Sequence, residues 1–323
     1  MKTALCISGQ PRIFDNEKIV KGYYENIIDV LNPDIFIDTW EGRGKKFGVS
    51  YMANKPSMYP SEELISEKQI VDLYHPKDIR IQSWETWEKT FFVDWENSIP
   101  NEINRIVLKN GLPYKAPIVG QAYKIYGANL LKSQYEDKYN FKYDLVIRSR
   151  FDHIFYKPID KEYLTNLNVL WNNNCPYIYL SYRVHDTFLF SNSNIMDTFS
   201  NIFLHLQEYW DDDKFLILDR YDPPRVIKVC CAINNIKDKS FKDRSIFENV
   251  NKFEELDNNP IVENEDRLNS MYIDEIEKKI GKGITIEELS LYLKDNNTKI
   301  NIYNWLVLNH YIIKEDNIRY WQY

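Results

Sequence analysis

Glycine is scarce, ten residues in 323, which excludes collagen-like and glycine-rich architectures. Positive charge is also short: 41 Lys and Arg stand against 48 Asp and Glu, a formal charge of −7. Nucleic acid is therefore not the expected main partner, because a phosphate backbone requires a basic face; a local basic pocket is compatible with that total. Cysteine is limited to Cys6, Cys175, Cys230 and Cys231, with no CxxC pair and no zinc-like spacing. These read as reduced, buried thiols. A redox pair at Cys230 and Cys231 is disfavoured, since neighbours on one strand face opposite ways. No run approaches the roughly 20 apolar residues of a membrane helix, and MKTALCISGQPR turns polar too soon for a secretory signal. The expectation is a soluble, cytoplasmic chain. GxGxxG, a P-loop, a GxSxG elbow and HxxxH are all missing, so dinucleotide enzymes, Walker ATPases and serine hydrolases have no support.

What is present is apolar and aromatic: 44% hydrophobic residues, with aromatics at 15%, enough to exclude disorder as the main state. Thr3–Ser8 reads as a short buried strand ended by Gly9 and Pro11. Glu17–Leu31 carries apolar residues at helical spacing, with Asp15 or Asn16 as cap and Asn32-Pro33 as stop. Asp34–Trp40 is a second buried strand, which completes a βαβ unit with both strands parallel. Further on, the pattern predicts a helix over 61–73, a strand over Asp78–Gln82, a Trp84, Trp87 and Trp95 cluster read as core or internal lid with sugar stacking as the alternative, and a helix over Val119–Tyr139. Strands follow at Tyr143–Phe151, Pro176–Leu180 and Thr187–Phe190, then an amphipathic helix over Ser193–Trp210. Beyond it, helices are expected at Glu265–Lys279 and Ile286–Lys294, and one or two strands within Ile300–Ile313.

The most informative stretch is YDLVIRSRFDHIF, residues 143–155. Strand alternation puts Arg148, Arg150 and Asp152 on one face, just past a buried apolar run. Charges there belong outside the carboxyl end of a parallel sheet, where such folds bind ligands. Two guanidinium forks suit a diphosphate, and an adjacent carboxylate suits a bridging divalent cation. An ordinary Arg–Asp ion pair explains the spacing equally well. The turn Ser8-Gly9-Gln10-Pro11-Arg12 is a second candidate, with Gly9 allowing close approach and Arg12 adding charge at the same edge. Asp38 and Thr39 end the second strand at that edge, Asp38 being suited to a ribose or base or else a solvated strand end. Gln121 and Lys124 sit in the first turn of the helix before the arginine strand, where Lys124 suits a phosphate or sugar hydroxyl or is a plain surface lysine. Asp186, before the run 187–190, suits a general base or a turn. Asp211-Asp212-Asp213 reads as a solvated loop, and Glu263 and Glu265 as a helix start with an acceptor role open.

LCISGQPR, PDIFIDTW after one helix, a Gln-containing helix, YDLVIRSRFDHIF and HDTFLFSNSNIMDTF together resemble glycosyltransferases of the GT-A type, associated with capsular or lipopolysaccharide synthesis and with glycan genes of large DNA viruses. The resemblance spans residues 1–210. It implies an α/β fold: a GT-A-like, Rossmann-type, mostly parallel sheet flanked by helices, with 1–210 binding a nucleotide sugar and 211–323 a mixed extension on the acceptor side. It implies sugar transfer from a nucleoside diphosphate donor to a glycan or other hydroxyl acceptor. Ser8, Gly9, Arg12, Asp38, Thr39, Gln121, Lys124, Arg148, Arg150 and Asp152 would bind the donor, and Asp186 would be the catalytic base. Where the family carries Asp-x-Asp for Mn²⁺ or Mg²⁺, this chain reads Arg-Ser-Arg-Phe-Asp, leaving Asp152 as the single acid for a metal. The arginines would then neutralise the leaving diphosphate themselves. A non-catalytic nucleotide- or glycan-binding protein and a nucleotidyltransferase are the alternatives.

Overall fold

The computed structural model describes residues 1–43, 63–92, 94, 115–173, 187–206, 230–231, 233–241, 247–249, 311–314 and 317–320. Strand β1 (Thr3–Gly9) is buried along nearly its whole length, as a run of Ala, Leu, Cys and Ile covered on both faces must be. It pairs in parallel with β2 (Asp34–Trp40) on one side and with β4 (Leu145–Ser149) on the other. β3 (Asp78–Gln82) adds to β2, also in parallel. This is the order 3-2-1-4 of one half of a doubly wound α/β sheet, and its switch point lies between the carboxyl ends of β1 and β4.

Past β4 the sheet is mixed. β7 (Leu189–Ser191) runs antiparallel to β4, β6 (Leu170–Asn173) antiparallel to β7, and β8 (Asp238–Phe241) parallel to β6. Among the described residues these make one seven-stranded sheet, β3-β2-β1-β4-β7-β6-β8. Two further two-stranded pairs are described: β5 (His153–Phe155) with β9 (Phe247–Asn249), and β10 (Tyr311–Lys314) with β11 (Asn317–Tyr320). β8 and β9, from beyond residue 210, thus pair with β6 and β5.

One face is covered by α1 (Glu17–Tyr23), which continues through a π-helical turn (Tyr24–Ile28) into α2 (Asp29–Leu31). Asn16 caps the start, its side chain accepting from the Lys18 amide, and Asn32 ends the run with a left-handed φ of 44°. The bounds 17–31 were legible in the sequence and the π-turn was not. Within that turn the buried Asn26 amide donates to the Phe155 carbonyl at 2.8 Å, fastening β5 to the helix. Leu5, Ile7, Ile35, Ile37, Leu145 and Ile147 meet Ile19, Tyr23 and Ile27 in the core on this side. Burying each such side chain contributes roughly 1.5–3 kcal/mol.

The other face is covered by α5 (Lys115–Tyr139), the element that precedes β4, after α3 (Glu67–Tyr74) and α4 (Trp84–Trp87). Phe36 packs edge-on against Tyr135 and Tyr143 there, and Trp40 against Trp84 and Trp87. The tryptophans of α4 are therefore core. α6 (Lys161–Leu164) follows β5, and α7 (Ser193–Ser200) follows β7, giving way to a 3-10 turn at Asn201–Phe203 well before residue 210. The α5 face that meets the sheet carries charge: Lys124, Lys132 and Glu136 are fully buried.

Cys6 is buried in β1, and desolvation pushes its thiol up to about 12, so it is no nucleophile. Cys230 and Cys231 have helical backbone, where a strand was assumed, and both are buried. Trp95, Cys175, the expected strand 176–180, Asp186, Asp211–Asp213, Glu263, Glu265 and the helices expected at 265–279 and 286–294 lie outside the described residues. Among the described residues no helix is long and apolar enough to cross a membrane.

Candidate functional site

The switch point is built from two loops. After β1, Gly9 takes a φ of 111°, which a side chain would resist, and space is open around it. Three residues on, Arg12 is also left-handed, with φ at 41°, uncommon for a residue with a long side chain. Its backbone is held from both directions by Arg43: the Arg12 amide donates to the Arg43 carbonyl at 2.9 Å, and the Arg43 guanidinium donates to the Arg12 carbonyl at 3.2 Å. Arg43 in turn grips Asp15 with a two-pronged contact, pairs with Glu63 at 2.9 Å, and lies over the Phe14 ring at 4.9 Å.

The second loop follows β4. The strand ends at Ser149, so the expected single face for Arg148, Arg150 and Asp152 does not form; the chain turns at Phe151 and Asp152. The turn brings the arginine and the acid together by another route. Arg150 donates to both oxygens of Asp152, Nε to Oδ1 at 2.9 Å and a terminal nitrogen to Oδ2 at 2.6 Å. Arg12, 140 residues earlier, donates to Oδ2 at 2.7 Å. Asp152 is 1% exposed, while the side chains of Arg12 and Arg150 keep 25% and 19% of their surface. Burial alone would raise the Asp152 carboxyl; Arg150 and Arg12 outweigh it and hold the group down at about 2. The Tyr23 hydroxyl, from α1, bonds Ser149 Oγ at 2.7 Å and donates to the Arg150 carbonyl, and His153 Nδ1 meets Ser149 Oγ at 2.8 Å.

The other sequence candidates divide. Arg148 is one step inside the strand, opposite Cys6 and only 2% exposed, so it offers almost no surface, unlike Arg12 and Arg150. Asp38 and Lys124 come together, but on each other: Lys124 Nζ donates to Asp38 Oδ1 at 2.7 Å and to Gln82 Oε1 at 2.8 Å, and Arg80 takes the other Asp38 oxygen. Both Asp38 and Lys124 are fully buried, so the expected donor contacts from this pair are replaced by an internal ion pair. Desolvation, against the pull of Asp38, lowers the Lys124 ammonium to about 8. Thr39 is buried and donates to the Gly9 carbonyl at 2.8 Å, shaping the turn from behind. Ser8 is 1% exposed near the end of β1, and its hydroxyl finds no hydrogen-bond partner among the described residues. Gln121 is half-buried on α5, in the second turn and not the first.

The metal role expected of Asp152 does not fit. Both its oxygens already accept from guanidinium groups, which would repel a cation that seeks about six oxygen ligands. Among the described residues no group of three His, Cys, Asp or Glu side chains is placed to hold a metal.

Sequence reasoning missed Arg43, Asp15, Arg80 and Tyr23, which fix this edge, because the signal for each is a contact between distant segments. It also missed a second charged cluster, at the opposite end of the sheet. Lys132 donates to Glu136 at 3.0 Å, to Ser193 at 2.6 Å and to Asp197 at 2.6 Å; Glu136 also accepts from the Tyr143 amide at 2.8 Å and from Lys142 at 2.9 Å. The i,i+4 spacing of Lys132 and Glu136 was the available clue. No family model matches the chain, and no curated protein matches it.

Proposed function

We propose that the chain is a glycosyltransferase that moves a sugar from a nucleoside diphosphate sugar to a hydroxyl of a glycan or another acceptor. The observation that carries this reading is the meeting of Arg12 and Arg150 on the buried Asp152 at the switch point between β1 and β4. Ligands of open α/β sheets bind at such points. A guanidinium fork matches phosphate oxygens, and a carboxylate shared behind two forks keeps them pre-aligned, so little order has to be gained when charge develops. In the reaction, the bond from the anomeric carbon to the diphosphate oxygen breaks, and its electron pair leaves with the diphosphate. Arg12 and Arg150 offset that charge. The acceptor oxygen bonds to the anomeric carbon, and its proton passes to a base. Asp186 is the base on the sequence reading alone. No step is routed through a cation.

The test is incubation of the purified chain with a panel of nucleotide sugars and mixed glycan acceptors, with and without Mn²⁺, followed by product analysis. At least one donor is expected to yield free nucleoside diphosphate, and Arg150→Ala should lower that rate by roughly tenfold to a hundredfold, the worth of a charge-assisted hydrogen bond. Pyrophosphate as the product would make the chain a nucleotidyltransferase. Saturable nucleotide-sugar binding with no turnover across the panel would make it a binding protein.

A further inference from the structure

We infer that Arg43 is a positioning residue for Arg12, acting on the diphosphate without touching it; the inference rests on the reading above. Arg12 sits at φ 41°, a conformation that carries a cost for a residue with a Cβ and persists only where the surroundings over-determine it. Among the described residues, Arg43 holds that backbone. Arg43 accepts from the Arg12 amide and donates to the Arg12 carbonyl, so both polar groups of the strained residue are taken. Arg43 is itself 8% exposed and fixed by Asp15, Glu63 and the Phe14 ring. Its backbone is also anchored: the Arg43 amide donates to the Glu63 carbonyl at 3.1 Å, and Gly42 bridges Leu64. Two points then define the Arg12 side chain, the left-handed backbone at its base and Asp152 at its tip, 2.7 Å away. Lysine in place of Arg43 supplies one charge but not the fork that spans Asp15 and the Arg12 carbonyl at once.

The experiment is a double-mutant cycle read by titration calorimetry with uridine diphosphate and, separately, inorganic pyrophosphate. Arg12→Gly keeps the backbone geometry and removes the guanidinium; it is expected to weaken binding roughly tenfold to a hundredfold. Arg43→Ala should weaken binding to a similar degree, and the double variant should bind no more weakly than Arg12→Gly alone, because Arg43 acts only through Arg12. Asp15→Ala, at a half-exposed position, loosens the same clip should Arg43→Ala fail to fold; its loss should be smaller and should likewise vanish in the Arg12→Gly background. Arg43→Lys should recover little. Additive losses in the cycle, or wild-type affinity in both clip variants, overturn the inference while leaving the diphosphate site standing. A wild-type chain that binds neither probe removes the site itself, and the inference with it.

Discussion

The two ends of the parallel sheet carry similar groups and use them differently. At the amino end, Lys132, Glu136, Lys142, Ser193 and Asp197 close on one another, with Lys132 and Glu136 fully buried. At the carboxyl end, a buried Asp152 sits behind two arginines that retain part of their surface. The first arrangement ties α5, β4 and α7 together. The second holds two cationic forks at the mouth of the switch point. A buried charge network is thus no guide to function by itself: Lys142 gives the amino end an exposed cation too, and what separates the two is which strand ends they occupy, since ligands of open α/β sheets bind beyond the carboxyl ends.

The largest expected effect falls at the closed end. Glu136→Ala leaves Lys132 buried with part of its partnership gone and should cost about 3–5 kcal/mol in denaturant unfolding. Uridine diphosphate affinity, measured on the folded variant, should not change. A shift in affinity there would blur the distinction between the two ends.

The Asp38–Lys124–Arg80 cluster lies where Gly127 of α5 packs against β2. A Cβ at Gly127 would stand 1.7 Å from Asp38 Oδ2 and 1.9 Å from an Arg80 nitrogen. Gly127→Ala should therefore destabilise by roughly 1–3 kcal/mol through overpacking, read from the same unfolding curves. Little or no loss would mean that this contact is looser than the structure has it.

At the open end, Asp152→Asn should cost about 1–2 kcal/mol at neutral pH, as a charge-assisted contact is lost. The pH dependence sharpens this. The folded carboxyl is depressed to about 2 from an ordinary 3.8, so its stabilisation is complete above the unfolded value and fades as pH falls toward 2. The stability difference between wild type and Asp152→Asn should therefore be constant from neutral pH down to about 5 and shrink from there to about pH 2. A difference that stays level to pH 2 would contradict the arginine-held carboxylate. The smallest effect is a surface control: Lys68→Ala removes the exposed pair with Asp72 and should change stability by no more than about 0.5 kcal/mol.

The fold was largely legible where a segment announces itself locally. TALCISG and DIFIDTW are apolar runs bounded by Gly, Pro and Asn, and both form strands within a residue of the expected ends. The antiparallel entry of β7 was not legible, because direction depends on the connection before it and not on the run Leu189–Ser191. At the site, Arg12, Arg150 and Asp152 were readable as residue types at strand ends. Strand alternation was expected to bring Arg148, Arg150 and Asp152 together, with Arg12 at the same sheet edge; Arg150 and Asp152 meet through a turn at Phe151 and Asp152 instead. Lys124 and Asp38 misled because a lysine or aspartate in sequence carries no mark of burial; only the packing of α5 on β2, with Gly127 opening the gap, makes them each other's partner. Arg43 was invisible for the same reason, since its partners Asp15, Glu63 and Arg12 lie 20 to 31 residues away in the chain.

The most direct test of the account is a crystal structure of the chain with uridine diphosphate bound. It should place the diphosphate oxygens within hydrogen-bond distance of the Arg12 and Arg150 guanidinium groups, at the carboxyl ends of β1 and β4. A nucleotide seated elsewhere, with both arginines still turned only on Asp152, would contradict it.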